Sequence, residues 1–162
     1  MPVTDVTRDL DNRTLTITAH FDSPVERVWQ LYADARQLER VWGPPTYPAT
    51  FVQHELSPGA LSLYYLTGPD GDRFGGWWRI ASVDEPGGFT FDDGFADNDL
   101  KPRDDMPVSH NAYSFVPDAG GTAATFVSSY DTAEALQQVL EMGIEEGATL
   151  AINQIDALLA AG

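Results

Sequence analysis

The sequence contains no cysteine, which removes disulfides, thiol nucleophiles and cysteinyl metal sites from consideration. It has a single lysine, Lys101, and nine basic residues against 25 acidic ones, a formal net charge of −16 over 162 residues. Such a field repels nucleic-acid phosphate and anionic membrane surfaces, so neither is an expected partner. No apolar run approaches the roughly 18 residues of a membrane span, and no membrane insertion is expected. The N-terminal residues lack the basic and apolar regions of a secretory signal, so a cytoplasmic location is expected. The acidity itself is compatible with a high-salt cytoplasm or with genomic base composition.

What is present reads as one domain spanning residues 1–162, with the aliphatic and aromatic content of an ordinary globule. Residues 1–13 carry no convincing period. Leu15, Ile17, Ala19 and Phe21 then alternate with Thr14, Thr16, Thr18 and His20 as in a half-buried strand. Ser23-Pro24-Val25-Glu26 starts a helix in which Ser caps, Pro takes the first position and Glu completes a capping box. A second short helix spans about 35–41 and stops at Gly43-Pro44-Pro45. Six strands follow at about 47–57, 60–67, 73–84, 88–93, 108–116 and 122–130, separated by Gly- and Pro-containing turns. The one long connection, 94–107, is acidic. Because antiparallel strands reverse direction, it shares an end of the sheet with the 68–72 turn. That end is also expected to hold the short helices and the start of the last helix, so the loop faces an elbow that it could close as a lid.

Asp131 to Gly162 reads as one long helix, with Asp131 and Glu134 at capping-box spacing and a stripe of Leu136, Leu140, Ile144, Ala148, Ile152, Ile155 and Leu159. Gly143 and Gly147 lie one turn apart inside it. An interior glycine costs roughly 1 kcal/mol relative to alanine. Close packing on the sheet, a kink, or space left for something else would each account for the pair. The element order gives an α+β class in which a seven-stranded antiparallel sheet must bury one face, and the long helix is the element able to cover it. If the sheet curls around that helix, the space between them is a pocket.

Signals for specific chemistry are sparse. His20, His54 and His110 all fall on expected strands without metal-ligand spacing, and no metal or cofactor is implied. His54 and His110 are candidate catalytic bases only if they project into the pocket. The acidic loop fails the calcium-loop pattern from Asp93 and from Asp97. No nucleophile elbow exists, and Gly75-Gly76 suggests a bulge or bend in a strand. The aromatics are the strongest positive signal. On the 73–84 strand, Trp78, Ile80 and Ser82 share an uncharged face, expected to look into the pocket. Phe91 beside Phe89, Tyr113 with Phe115, and Trp29 with Tyr32 on the first helix extend the same surface. Leu140, Gly143, Ile144 and Gly147 are expected to face it from the long helix.

The chain resembles the START-like, birch-pollen-allergen-type helix-grip superfamily known as SRPBCC. Within it, the chain is similar to proteins related to the activator of the heat-shock protein 90 ATPase. The residues that carry the likeness include FDSPVERVW at 21–29, LERVWGPP at 38–45, GPDGDRFGGWW at 68–78, SVDEPGGFTF at 82–91 and LEMGIEEG at 140–147. Ser57, Gly59 and Ala60 stand where relatives often carry Arg and paired Gly, and Ser82 where many carry Glu. The resemblance implies a helix-grip fold with a ligand pocket and supplies no substrate. Three functions follow: a binding protein for a small apolar or aromatic ligand, a cyclase, dehydratase or hydrolase acting on a polyketide-like ligand, or an ATPase-activating interaction module. An enzyme requires a titratable group inside the pocket, for which His54, His110, Glu55 and Asp92 are the candidates. Exposed aromatics are compatible with a homodimer that no feature specifies.

Overall fold

A computed structural model describes residues 2–161. One antiparallel sheet of eight strands runs in the order β1-β2-β8-β7-β6-β5-β4-β3. These are β1 Val3–Asp9, β2 Thr14–Phe21, β3 Ala49–Gln53, β4 Leu61–Thr67, β5 Arg73–Asp84, β6 Gly88–Ala96, β7 Ser109–Asp118 and β8 Gly121–Tyr130. Helices α1 Val25–Ala33 and α2 Ala35–Leu38 join β2 to β3, and α3 Ala133–Glu141, α4 Ile144–Ile152 and α5 Ile155–Ala160 close the chain. The sheet thus has one strand more than expected. β1 is an edge strand with no fully buried residue, so it lacks the alternation by which a half-buried strand is recognised.

The long helix is three helices. α3 ends at Met142, and Gly143 takes a left-handed φ of +90° before α4 begins. A non-glycine residue is disfavoured there, because its Cβ approaches the following carbonyl. The second break, at Asn153-Gln154, is held from outside. The Asn153 Oδ1 accepts from the Val3 N–H at 3.1 Å, and the Gln154 amide donates to the Gly43 carbonyl at 2.7 Å. Consequently α3 lies along β8, α4 along β2, and α5 against α1. Gly162, to which the helix was expected to reach, lies outside the described residues.

Both N-caps lie one residue later than expected, and neither capping box forms. Pro24, not Ser23, is the N-cap of α1, and the Ser23 carbonyl instead accepts from the Thr122 hydroxyl at 2.7 Å. That bond also places the start of α1 at the β7–β8 turn, the opposite end of the sheet from the 94–107 connection. Thr132, not Asp131, caps α3, its hydroxyl accepting from the Ala135 N–H at 3.0 Å.

The concave face is filled unevenly. Beneath α1 and α5 it is solid: Val28, Leu31, Ile80, Phe91, Phe115, Ile155 and the whole of Trp78 are at most 1% exposed. The rings interlock there, with Trp78 and Phe91 centroids 4.2 Å apart and Tyr32 stacked on Phe115 at 5.5 Å. Burying such rings supplies a large apolar area, and their edge-to-face and offset contacts add to it. Beneath α3 and α4 the face is not filled. A Cβ built on Gly147 would meet nothing within 4 Å, and one on Gly143 only the tip of Glu146 at 3.9 Å. The two glycines therefore do not allow close packing. Gly143 permits a change of helix direction, and Gly147 leaves room.

These two roles separate experimentally. Gly147→Ala is expected to raise unfolding free energy by about 1 kcal/mol through helix propensity alone. Gly143→Ala is expected to lower it by roughly 1–2 kcal/mol because of its left-handed backbone. Urea denaturation of both variants measures the difference in sign.

Candidate functional site

The unfilled region is a cavity of about 590 Å³ between the sheet and the α3–α4 pair. Its wall is mostly apolar and aromatic, with Ile17 from β2, Phe126 and Tyr130 from β8, and Tyr32 from α1. The mouth lies between the 42–47 segment, the start of β5 and the α3–α4 break. Five large hydrophobic side chains exposed to solvent gather there: Tyr47, Phe74, Met142, Ile144 and Leu150. Phe95 and Pro107, at the two ends of the 97–108 connection, also touch the cavity. The middle of that connection folds back on β6, with the Arg103 N–H donating to the Phe95 carbonyl at 2.8 Å. Its acids serve the loop itself: the Asp97 carboxylate accepts from the N–H groups of Asp99 and Lys101.

Of the residues expected on the wall, Tyr32, Tyr113, Gly143, Ile144 and Gly147 are there. Trp29, Trp78, Ile80, Phe91 and Phe115 face inward but belong to the packed half under α1 and α5. The four on strands share faces with true wall residues and lie too far toward the filled end, and Trp29 meets Phe89 from α1. Leu140 turns away from the cavity toward a surface groove beside Arg8 and Leu10. Ser82 lies on the outer face, its hydroxyl 2.6 Å from that of Thr90. A register shift between Ile80 and Ser82 inserts one residue into β5 and reverses the alternation. The bulge in this strand is therefore at Ala81, not at the Gly75-Gly76 pair.

Neither candidate histidine reaches the cavity. The His54 Nε2 lies 2.7 Å from the Tyr32 carbonyl and its Nδ1 2.7 Å from the Ser62 hydroxyl. A carbonyl only accepts, so Nε2 carries the proton and Nδ1 accepts from serine. Burial pushes the His54 pKa down, which keeps this neutral form. His54 is thus a strut between α1 and β4. His110 lies on the convex face between Asp92 and Asp131, at 2.7 and 3.0 Å. The hydrogen bond to Asp92, aided by Asp131, raises its pKa. Glu55 is exposed, and Asp92 faces His110.

Among the described residues, the carboxylate that lines the cavity is Asp93, which is none of the candidates His54, His110, Glu55 and Asp92. Strand alternation reaches it two residues beyond Phe91, and the signal was readable as Phe89, Phe91, Asp93 and Phe95 on one face of β6. The Tyr64 hydroxyl donates to Asp93 Oδ1 at 2.9 Å. That reach across β5 depends on Gly76: a Cβ there would lie 2.2 Å from the Tyr64 ring. A polar stripe continues over the neighbouring strands. The Ser128 hydroxyl donates to Asn111 Oδ1 at 2.6 Å, the Asn111 amide to the Ser109 hydroxyl at 3.0 Å, and Ser109 to the Asp93 carbonyl at 3.3 Å. Burial raises the Asp93 pKa to about 7, opposed by the Tyr64 hydrogen bond. Tyr64 and Tyr113 are raised well above the ordinary tyrosine value by burial first, and Tyr130 to about 12. The phenols therefore stay neutral while Asp93 titrates. Among the described residues, no group of three or more His, Asp or Glu is placed to hold a metal ion, and no helix is long and apolar enough to cross a membrane.

The profile of the family described as activator of Hsp90 ATPase homolog 1-like protein aligns with residues 22–160. This chain belongs to that family. A crystal structure of protein Ms6760 from Mycobacterium smegmatis is 61% identical over 99% of both chains, with a TM-score of 0.92. A solution structure of a protein from Arthrobacter aurescens is 44% identical over 99% of this chain and 93% of that one, with a TM-score of 0.94. A family member from Silicibacter pomeroyi, 21% identical over 91% of this chain and 98% of its own, has a TM-score of 0.67 and shares the fold. No curated protein matches the sequence. The helix-grip fold of this family is consistent with a ligand-binding domain.

Two pH dependences follow. The folded pKa of Asp93 lies above its unfolded value of 3.8, so ionisation opposes folding, and its contribution declines from about pH 4 to about pH 7. Asp93→Asn is therefore expected to melt increasingly above the wild type as pH rises through that window, and calorimetry at several pH values checks it. His110 has the opposite sign. Its raised folded pKa gives stability that is complete below the unfolded value of 6.5 and lost as pH rises through the folded one. His110→Ala is expected to destabilise at acidic pH and to match the wild type at alkaline pH.

Proposed function

We propose that this protein binds a small apolar or aromatic molecule in the cavity between the sheet and the α3–α4 pair. The observation that carries this reading is a hollow of about 590 Å³, large enough for such a ligand, on whose helical wall Gly147 stands with open space above it. A protein selected for stability alone gains from a larger residue at that position, since nothing obstructs one. The exposed apolar side chains at the mouth support the same reading, because they offer an entry path of matching chemistry. The family's name suggests an ATPase-activating interaction module as another possibility. The gathering of exposed hydrophobics around the cavity entrance favours a ligand over a separate protein-binding face.

A specific observation also supports a catalytic reading. Asp93 meets the requirement for a titratable group inside the cavity, and a carboxyl with a pKa near 7 can give or take a proton at neutral pH. Tyr64 fixes one carboxyl oxygen and leaves the other facing the cavity. In this reading the ligand of the proposed cavity is a substrate and Asp93 its general acid or base.

Titration with the neutral fluorescent probe N-phenyl-1-naphthylamine tests the binding reading. Saturable binding is expected, weakened at least ~10-fold by Gly147→Phe, which projects a ring into the hollow, and unchanged by Gly147→Ala. Absence of saturable binding by the wild type would remove the proposal.

A further inference from the structure

The wall of the cavity carries an unbalanced charge. Among the described residues, Asp93 is the only carboxylate on it, and no Lys, Arg or His side chain lines the hollow. Asp93 is half-buried and lines the cavity. Its Oδ1 accepts from Tyr64 and its main-chain carbonyl from Ser109, while among the described residues no donor reaches Oδ2. Neutral rings surround this end of the cavity: Tyr64 from β4, Tyr113 from β7, Tyr130 from β8, and Trp42, whose ring meets that of Tyr64 edge-on at 5.9 Å. Aromatic faces attract cations, most strongly when both are withdrawn from water.

We infer that the cavity selects an apolar molecule bearing one protonated amine, with the nitrogen held against Oδ2 of Asp93. The inference rests on the binding reading above and specifies its ligand. A cation at Oδ2 would supply the charge partner that the wall lacks, beside Tyr113 and Tyr130, both near enough to feel the Asp93 charge. A carboxylate ligand of the same shape would place two like charges together in a low-dielectric hollow, which is strongly unfavourable. The surrounding field points the same way, since a net charge of −16 draws cations and repels anions. The groups facing Asp93 from each packed element are phenols or uncharged: Tyr64, Tyr113 and Tyr130 from the sheet, Tyr32 from α1, and no ionisable residue from β5, α3 or α4. Amine binding is therefore controlled by the ionisation of Asp93 alone across the neutral range.

Three matched naphthyl probes test this: 1-naphthylmethylamine, the neutral 1-naphthylmethanol and 1-naphthoate, each titrated against the full chain by intrinsic tryptophan fluorescence. The amine is expected to bind about 10-fold or more tighter than the alcohol near pH 8, with the naphthoate weakest. The amine's advantage is expected to vanish as pH falls to about 5, where Asp93 is protonated. Asp93→Asn is expected to erase the preference, so that the amine binds no more tightly than the alcohol. The pH dependence of the wild type carries the test even if that variant does not fold. If the alcohol binds as well as the amine at every pH, the amine assignment fails and the cavity reading stands. If the amine's preference survives in Asp93→Asn, it arises from the overall field and the assignment also fails. If none of the three probes binds, both readings fall.

Discussion

The organisation of this protein rests on one constraint: a single concave sheet face must be covered by helices whose side chains fill only half of it. α1 and α5 supply large apolar groups, and the sheet beneath them answers with Trp78, Phe91 and Phe115. α3 and α4 supply a left-handed glycine, a bare glycine and residues that point toward the rim. Well-packed interiors leave few voids larger than a water molecule, so a hollow of about 590 Å³ is a departure from ordinary core construction. The packed half makes the departure tolerable, because the interlocked rings hold the sheet's curvature independently of what lies under α3 and α4.

The placement of Asp93 follows from the same arrangement. A carboxylate within a filled core would need a full set of donors. At the edge of the hollow it needs fewer, since one oxygen opens onto the cavity. Tyr64 supplies a donor only because Gly76 lets its ring lie across β5. The serine–asparagine stripe over β6, β7 and β8 continues the polar wall without adding charge. The cavity therefore combines a broad aromatic lining with one acid, an asymmetry that gives a bound molecule an orientation as well as a place.

Much of this was legible along the chain. Alternation in β2, the turns between β4 and β8, and the amphipathic stripe after residue 131 are local patterns, and local patterns specify helix, strand and facing. The paired glycines of the last helix left close packing, a kink and open space as alternatives along the chain; Gly143 breaks the helix and Gly147 meets open space. The errors are equally particular. Ser82 was placed inward because one bulged residue reverses every later side chain, and β5 contains no glycine or proline there to signal it. Ser23 and Asp131 were read as caps, whereas each has a tertiary commitment: the Ser23 carbonyl to Thr122, and the Asp131 carboxylate to His110. β1 was missed because an edge strand buries too little to show a period.

By itself, then, the amino-acid sequence determined the class of fold, the acidic exterior, the inward-facing aromatic sets and the weak middle of the last helix, because each is written in spacings of a few residues. Only the tertiary structure decided where the interior is solid and where it is empty. Trp78 and Tyr113 are indistinguishable as inward aromatics of neighbouring patterns, yet one is sealed among Trp42, Phe51, Phe89 and Phe91 and the other borders the hollow. That difference is set by which side chains pack over each strand, a matter of contacts between residues far apart in the chain. The same long-range geometry put Asp93 against the cavity and kept the histidines from it, His110 looking outward and His54 bracing the core.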